Sequence, residues 1–75
     1  MLLIIAKGIK MLVYTTKHKN TLKITKREDE NHKGENLYTF TLHKPKAHGE
    51  DIVILLSDIR LTSINYFKEL FMERY

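Results

Sequence analysis

The feature that most constrains the fold of this 75-residue chain is a change in the spacing of its apolar residues. Two segments, Leu22–Thr25 and Leu37–Leu42, alternate apolar and polar side chains, which is typical of strands with one buried face. A continuous apolar run, Ile52–Leu56, follows them, and from Leu61 to Tyr75 the apolar spacing becomes helical. This order predicts a sheet of short strands followed by one C-terminal helix.

The alternating segments also predict which side chains face inward. Ile9–Thr16 is rich in β-forming residues and predicts a further strand, joined to the next by a short polar hairpin loop at Lys17–Asn20. The predicted inward residues are Leu22, Ile24, Tyr38, Phe40 and Leu42. The predicted outward residues are Lys23, Thr25, Arg27, Thr39, Thr41 and His43.

Two segments without alternation predict a loop and a covered strand. Glu28–Asn36 contains no apolar residue and predicts an exposed loop whose carboxylates stay solvated. Ile52–Leu56 contains no polar residue and predicts a central strand with both faces covered. Ser57 and Asp58 then predict a turn or a helix N-cap.

The helical segment carries apolar residues on its predicted core-facing stripe and also outside it. The predicted core stripe contains Leu61, Ile64, Phe67, Phe71 and Tyr75, and Thr62 is the predicted N-cap. Tyr66, Leu70 and Met72 lie off this stripe. They either pack under the N-terminal segment or form an apolar patch for a partner.

Together these patterns predict an α+β fold. We expect a small antiparallel meander of four strands, with Leu2–Ala6 as a candidate fifth, and one C-terminal helix packed on one face. Residues 1–75 are predicted to form a single domain. Residues 1–10 are either an edge strand or a dispensable extension, because Met11 is an alternative start.

Composition limits the cellular setting. The chain contains no cysteine, so it has neither disulfides nor a thiolate metal site, and a reducing cytoplasmic location is expected. The apolar run at the N-terminus ends at Lys7, too short for a signal peptide and far below the roughly 20 residues of a membrane span. No membrane association is expected.

Charge is concentrated in the first part of the chain. Residues 1–48 hold ten Lys and Arg against four Asp and Glu, whereas residues 49–75 hold three against five. The candidate nucleic-acid contacts are Lys17, Lys19, Lys23, Arg27, Lys44 and Lys46. Because lysines outnumber arginines ten to three, such binding would rest on backbone phosphates with little sequence preference.

No motif predicts catalysis or ligand chemistry. The four histidines (His18, His32, His43 and His48) match no zinc-binding spacing, and the three glycines stand alone rather than in a phosphate-binding loop. We therefore expect no enzymatic activity, no cofactor, no bound metal and no small-molecule substrate.

Two hypotheses remain, and no motif identifies a family. The first is a non-enzymatic protein-binding or regulatory module, of the kind that phages and other mobile elements use as accessory proteins. Its partner is another protein or a second copy, bound through Tyr66, Leu70 and Met72 and through an edge strand such as Leu2–Ala6 or Ile9–Thr16. The alternative is a basic accessory protein that binds nucleic acid.

Overall fold

The computed structural model describes residues 2–6, 9–32, 34–60 and 64–75, with side chains from residue 10 onward. The elements in this part of the chain are β1 (Leu2–Ala6), β2 (Ile9–Thr15), β3 (Thr21–Glu28), β4 (Asn36–Pro45), β5 (Glu50–Arg60) and α1 (Asn65–Arg74). The strands form an antiparallel sheet in the order β1-β2-β3-β4-β5. The predicted α+β meander is confirmed, with Leu2–Ala6 as its fifth strand.

The centre of the core lies between β3 and β4. Leu22 is opposite Leu42 and Ile24 is opposite Phe40 in the antiparallel register, so the four side chains share one face of the sheet. Each is at most 1% exposed. These are four of the residues predicted to face inward, and the prediction holds because the side-chain period of a strand is two.

Aromatic residues of α1 cover this face. Phe71 is buried, and its ring lies edge-on to that of Phe40 at 5.6 Å between centroids. Phe67 contacts Phe40 in the same manner at 6.3 Å. Such edge-to-face pairs add to the free energy gained by burial alone. Phe71, Phe67 and Tyr75, predicted from helical spacing, therefore do contribute to the core.

Two long-range hydrogen bonds fix the C-terminal end of α1. The Lys17 N–H donates to the Met72 carbonyl at 2.9 Å, and the Asn20 side-chain amide donates to the Tyr75 carbonyl at 2.8 Å. Both acceptors belong to the last turn, whose carbonyls have no partner within the helix. The β2–β3 loop thus caps the C-terminus of α1.

The N-terminal end of the described helix has no side-chain cap. The helix begins at Asn65, with Ile64 as an N-cap residue that offers no side-chain hydrogen bond. The predicted start at Leu61 and the predicted N-cap at Thr62 lie outside the described residues.

The prediction of a central strand at Ile52–Leu56 is wrong. These residues belong to β5, which pairs only with β4 in the described sheet and therefore forms an edge. Ser57 and Asp58, predicted as a turn or cap, lie inside β5, where the register with β4 shifts and Asp58 has φ of 49°. Here β5 has more residues than β4, as in a β-bulge.

The other edge is β1. The strand predicted over Ile9–Thr16 is β2, and β2 lies between β1 and β3. Its suggested use as an edge for pairing with a partner is therefore wrong. In the described sheet only β1 and β5 have an open side.

Candidate protein-binding surface

Among the strands whose side chains are described, β5 at the edge of the sheet carries the most exposed apolar segment. Ile52 is 58% exposed, Val53 40% and Ile54 64%. Edge strands of monomeric proteins commonly carry charged residues or proline, which discourage pairing with another chain. The charges of β5 lie toward its ends, at Glu50, Asp51, Asp58 and Arg60, and its middle presents three consecutive β-branched side chains. This middle segment, taken without the charged ends, has the composition of a covered strand.

Both faces of β5 contribute to this apolar edge. Val53 is opposite Leu42 and so lies on the face that α1 covers. Ile52 is opposite His43 and Ile54 is opposite Thr41, which places both on the open face. The register with β4 is regular from Glu50 to Ile54 and shifts beyond it. The regular part of the edge and the exposed apolar side chains therefore coincide.

The acidic residues at the start of β5 have partners within the chain. The Glu50 carboxylate lies 3.1 Å from the His43 ring nitrogen Nδ1. The Asp51 carboxylate lies 2.6 Å from the Lys46 ammonium. The Lys46 ammonium places a positive charge beside Asp51, so this carboxylate opposes an approaching strand less than an unpaired one would.

The three candidate residues on α1 do not form one patch of equal exposure. Tyr66 is 64% exposed and Leu70 is 38% exposed. Met72 is partly buried and packs against the core cluster. The apolar surface that α1 offers is thus smaller than the helical spacing predicted, because Met72 turns toward the sheet.

Three of the six candidate nucleic-acid contacts are paired with carboxylates. Their nitrogen–oxygen distances are 3.6 Å for Lys17–Glu73, 3.0 Å for Arg27–Asp58 and 2.6 Å for Lys46–Asp51. The Lys44 ammonium lies 5.9 Å from the ring centroid of Tyr75, a cation–π contact. Pairs of this kind leave less positive charge available for phosphates.

The six residues also fail to form one continuous surface. Lys17 and Lys19 lie in the β2–β3 loop, and the antiparallel register places Lys44 and Lys46 at the same end of the sheet. Lys23 lies in the middle of the open face, opposite Thr41, and Arg27 lies toward the other end, opposite Leu37. The six candidate contacts are therefore spread along the sheet, with Arg27 apart from the other five.

The loop between β3 and β4 contains a buried carboxylate that the sequence did not predict. Asp29 is only 5% exposed, contrary to the prediction of a fully solvated loop. Its Oδ2 accepts a 2.6 Å hydrogen bond from Arg60, and its Oδ1 accepts a bond from the Asn31 N–H at 3.0 Å. The bond from Arg60 first, and then that from Asn31, lowers the pKa of Asp29 below its ordinary value.

Asp29 also belongs to a cluster with His32 and Glu35 whose spacing would suit a metal ion, but the Arg60 guanidinium already lies among them. Ligand atoms of Asp29, His32 and Glu35 lie within 4.8 Å of one another. The Arg60 guanidinium lies 3.0 Å from the His32 Nδ1 and 3.3 Å from the Glu35 carboxylate. A permanent positive charge among these groups disfavours a metal ion. The cluster is an ion-pair network that ties the β3–β4 loop to the end of β5.

Sequence reasoning missed the apolar edge, although its signal was visible. The run of β-branched residues at Ile52–Ile54 predicted a strand covered on both sides, and the structure leaves the outer side uncovered by any described strand. The apolar run correctly predicts a strand but not its place at the edge of the sheet, which depends on the strand order.

Comparisons with protein-family models, with curated proteins and with solved structures find no match for this chain. Among the described residues, no helix is both long enough and apolar enough to cross a membrane. The described helix α1 has 10 residues, about half the length that a bilayer requires.

Proposed function

We propose that this protein is a non-enzymatic protein-binding module that accepts an additional β-strand along the outer edge of β5. The observation that carries the proposal is the exposure of Ile52, Val53 and Ile54 in the apolar middle segment of an edge strand. Strand addition satisfies the free backbone groups of an edge and places new side chains beside those of the edge on both faces of the sheet.

The partner that this edge fits is a second copy of the chain. In an antiparallel pair centred on Val53, Ile52 of one copy is opposite Ile54 of the other, and the two Val53 residues face each other. Directly opposite residues share a face, so the isoleucines meet on the open face and the valines on the face covered by α1. In the same register Asp51 is opposite Leu55 of the second copy, so no like charges meet. A twofold interface requires such self-complementarity.

The expected affinity is modest. Complete cover of the exposed parts of these three side chains would remove at most about 300 Å² per chain, or about 600 Å² for the dimer, a gross gain of at most about 15 kcal/mol at about 25 cal/mol per Å². The resulting total of about 600 Å² is below the about 1,200 Å² of small specific interfaces. Neighbouring side chains and backbone hydrogen bonds add to it, while association entropy opposes it. We expect a dimer that dissociates in the micromolar range or above.

Sedimentation equilibrium with matched variants tests this proposal. Ile54→Lys and Tyr66→Lys change two apolar residues that are each 64% exposed, one on β5 and one on α1. We expect the wild-type chain to dimerise with increasing concentration, Ile54→Lys to remain monomeric and Tyr66→Lys to dimerise as the wild type does. Circular dichroism and thermal unfolding of each variant verify that its monomer is folded.

Three results would overturn the proposal. One is a wild-type chain that stays monomeric up to about 1 mM, the weak end of measurable affinities. Another is a dimer that is abolished by Tyr66→Lys but not by Ile54→Lys, because the interface would then lie on α1. The third is equal loss in both variants, because the interface would then not be built on the β5 edge. Ile52→Lys provides a second test of the same face of β5 if Ile54→Lys fails to fold.

A further inference from the structure

A row of polar side chains borders the hydrophobic core at the end of the sheet where α1 begins. Lys10 is directly opposite Lys26 in the β2–β3 register, and Lys26 is directly opposite Tyr38 in the β3–β4 register. Each is two residues from a core-facing neighbour on its own strand, so the row lies on the face that α1 covers. Two ammonium groups and one phenol are thereby brought together.

This row forms one side of a cleft with a volume of about 300 Å³. The cleft is lined by Lys10, Leu12, Ile24, Lys26, Tyr38 and Ile64. Its apolar lining includes Ile24, which is 1% exposed, and Ile64, the N-cap residue of α1. A volume of this size is at the small end of ligand sites, which combine an apolar lining with a few polar groups.

The charges around the cleft are uncompensated. None of the ion pairs among the described residues includes Lys10 or Lys26. Like charges directly opposite on neighbouring strands destabilise a sheet. The first turn of α1 carries no acidic residue, so the positive end of the helix dipole at Ile64 adds to the same potential. An anion in the cleft would neutralise all three contributions.

We propose that this cleft binds a small phosphate monoester with an apolar organic group. The dianionic phosphate would lie between Lys10 and Lys26, where two ammonium groups match its charge, and Tyr38 offers a hydroxyl donor. The organic group would pack against Leu12 and Ile64, which are only partly buried. No residue of β5 lines the cleft, so this site is independent of the proposed dimer.

Titration with phenyl phosphate tests the proposal, followed by amide chemical shifts in NMR and by calorimetry. Lys10→Gln and Lys26→Gln each remove one charge, and Lys23→Gln removes a charge from the open face of the same strand β3 as a matched control. We expect phenyl phosphate to shift the amides around Lys10, Lys26 and Tyr38. Each cleft variant should weaken binding about tenfold or more, the effect of losing one charge-assisted hydrogen bond, and Lys23→Gln should leave it unchanged.

A neutral probe and an inorganic probe test the contributions of the phosphate and of the apolar group one at a time. Benzyl alcohol should bind much more weakly than phenyl phosphate if the charge matters, and inorganic phosphate should bind more weakly if the apolar lining matters. Equal binding of either probe and phenyl phosphate would overturn the assignment. So would equal weakening by Lys23→Gln, or no saturable binding of phenyl phosphate at millimolar concentration. The amide spectrum of each variant verifies that the fold is retained.

Discussion

The carboxylate of Asp29 and the guanidinium of Arg60, 31 residues apart in the chain, meet at 2.6 Å. The contact joins the loop after β3 to the last residue of β5, two segments that are not neighbours in the sheet. Asp29 is buried, whereas the Arg60 side chain is 53% exposed. Breaking the ion pair would therefore cost the Asp29 carboxylate more than the Arg60 guanidinium, since the carboxylate has little access to water.

This pair predicts a dependence of stability on acid. Because the pKa of Asp29 is lowered from its ordinary 3.8, its ionised form stabilises the folded chain above that value. This stabilisation is lost as the pH falls through the lower folded-state pKa. We expect Asp29→Asn to be less stable than wild type at pH 7 and to lose less stability on acidification. Thermal unfolding between about pH 7 and pH 2 measures both effects.

Glu30→Gln is the control for this prediction, because Glu30 is exposed in the same loop. It should retain the acid dependence of the wild type. An Asp29→Asn variant with unchanged acid dependence would show that the ion pair does not contribute to folding.

A second prediction concerns the core. Phe40 is fully buried and contacts two rings of α1, so Phe40→Ala should cost about 3–5 kcal/mol of unfolding free energy. That is a large fraction of the stability of a small domain. Thr41→Ala, on the opposite face, should change it by less than about 0.5 kcal/mol. Urea unfolding followed by circular dichroism compares the two, and the reverse order would contradict the assigned faces.

A third prediction concerns the attachment of α1. Removing the Asn20 side chain deletes its 2.8 Å hydrogen bond to the Tyr75 carbonyl. We expect Asn20→Ala to lower the unfolding free energy by about 0.5–1.5 kcal/mol and to increase hydrogen exchange in the last turn of α1. Asn31→Ala is the matched control, because Asn31 contributes its backbone N–H rather than its side chain to Asp29. Equal effects of the two variants would contradict a specific cap.

A fourth prediction concerns the nucleic-acid alternative. With three of its six candidate cations paired to carboxylates, the chain should bind labelled single-stranded DNA no more tightly than about 10⁻⁵ M at about 150 mM salt, within the non-specific range. Fluorescence anisotropy at several salt concentrations gives the affinity and its salt slope. Tighter binding with a slope steeper than about −3, abolished by Lys23→Glu, would favour the nucleic-acid alternative over strand addition.

The faces of the central strands were predictable because they depend on local alternation alone. Leu22, Ile24, Phe40 and Leu42 follow the period of two, and a shift of one residue would expose all of them. The helical stripe of Phe67 and Phe71 was predictable for the same reason, with a period of 3.6. Such patterns need no knowledge of which elements are neighbours.

The remaining features depend on contacts between distant residues. An apolar run such as Ile52–Ile54 predicts cover on both faces, whereas in the structure these three side chains are exposed. The burial of Asp29 depends on Arg60, and the meeting of Lys10 with Lys26 depends on the register of one hairpin. Neither relationship leaves a periodic trace in the sequence, so neither was predicted.

The strand order also determines when the parts of the molecule can assemble. Each strand pairs with its neighbours in sequence, so every sheet contact closes a short loop at low entropic cost. Hairpins of this kind can form one after another while the chain is being synthesised. The contacts of α1 with β3 and β4 must wait until α1 itself has been made, and the bond between Asn20 and Tyr75 spans 55 residues. During synthesis the nascent sheet therefore exposes Phe40 and its neighbours until the helix arrives.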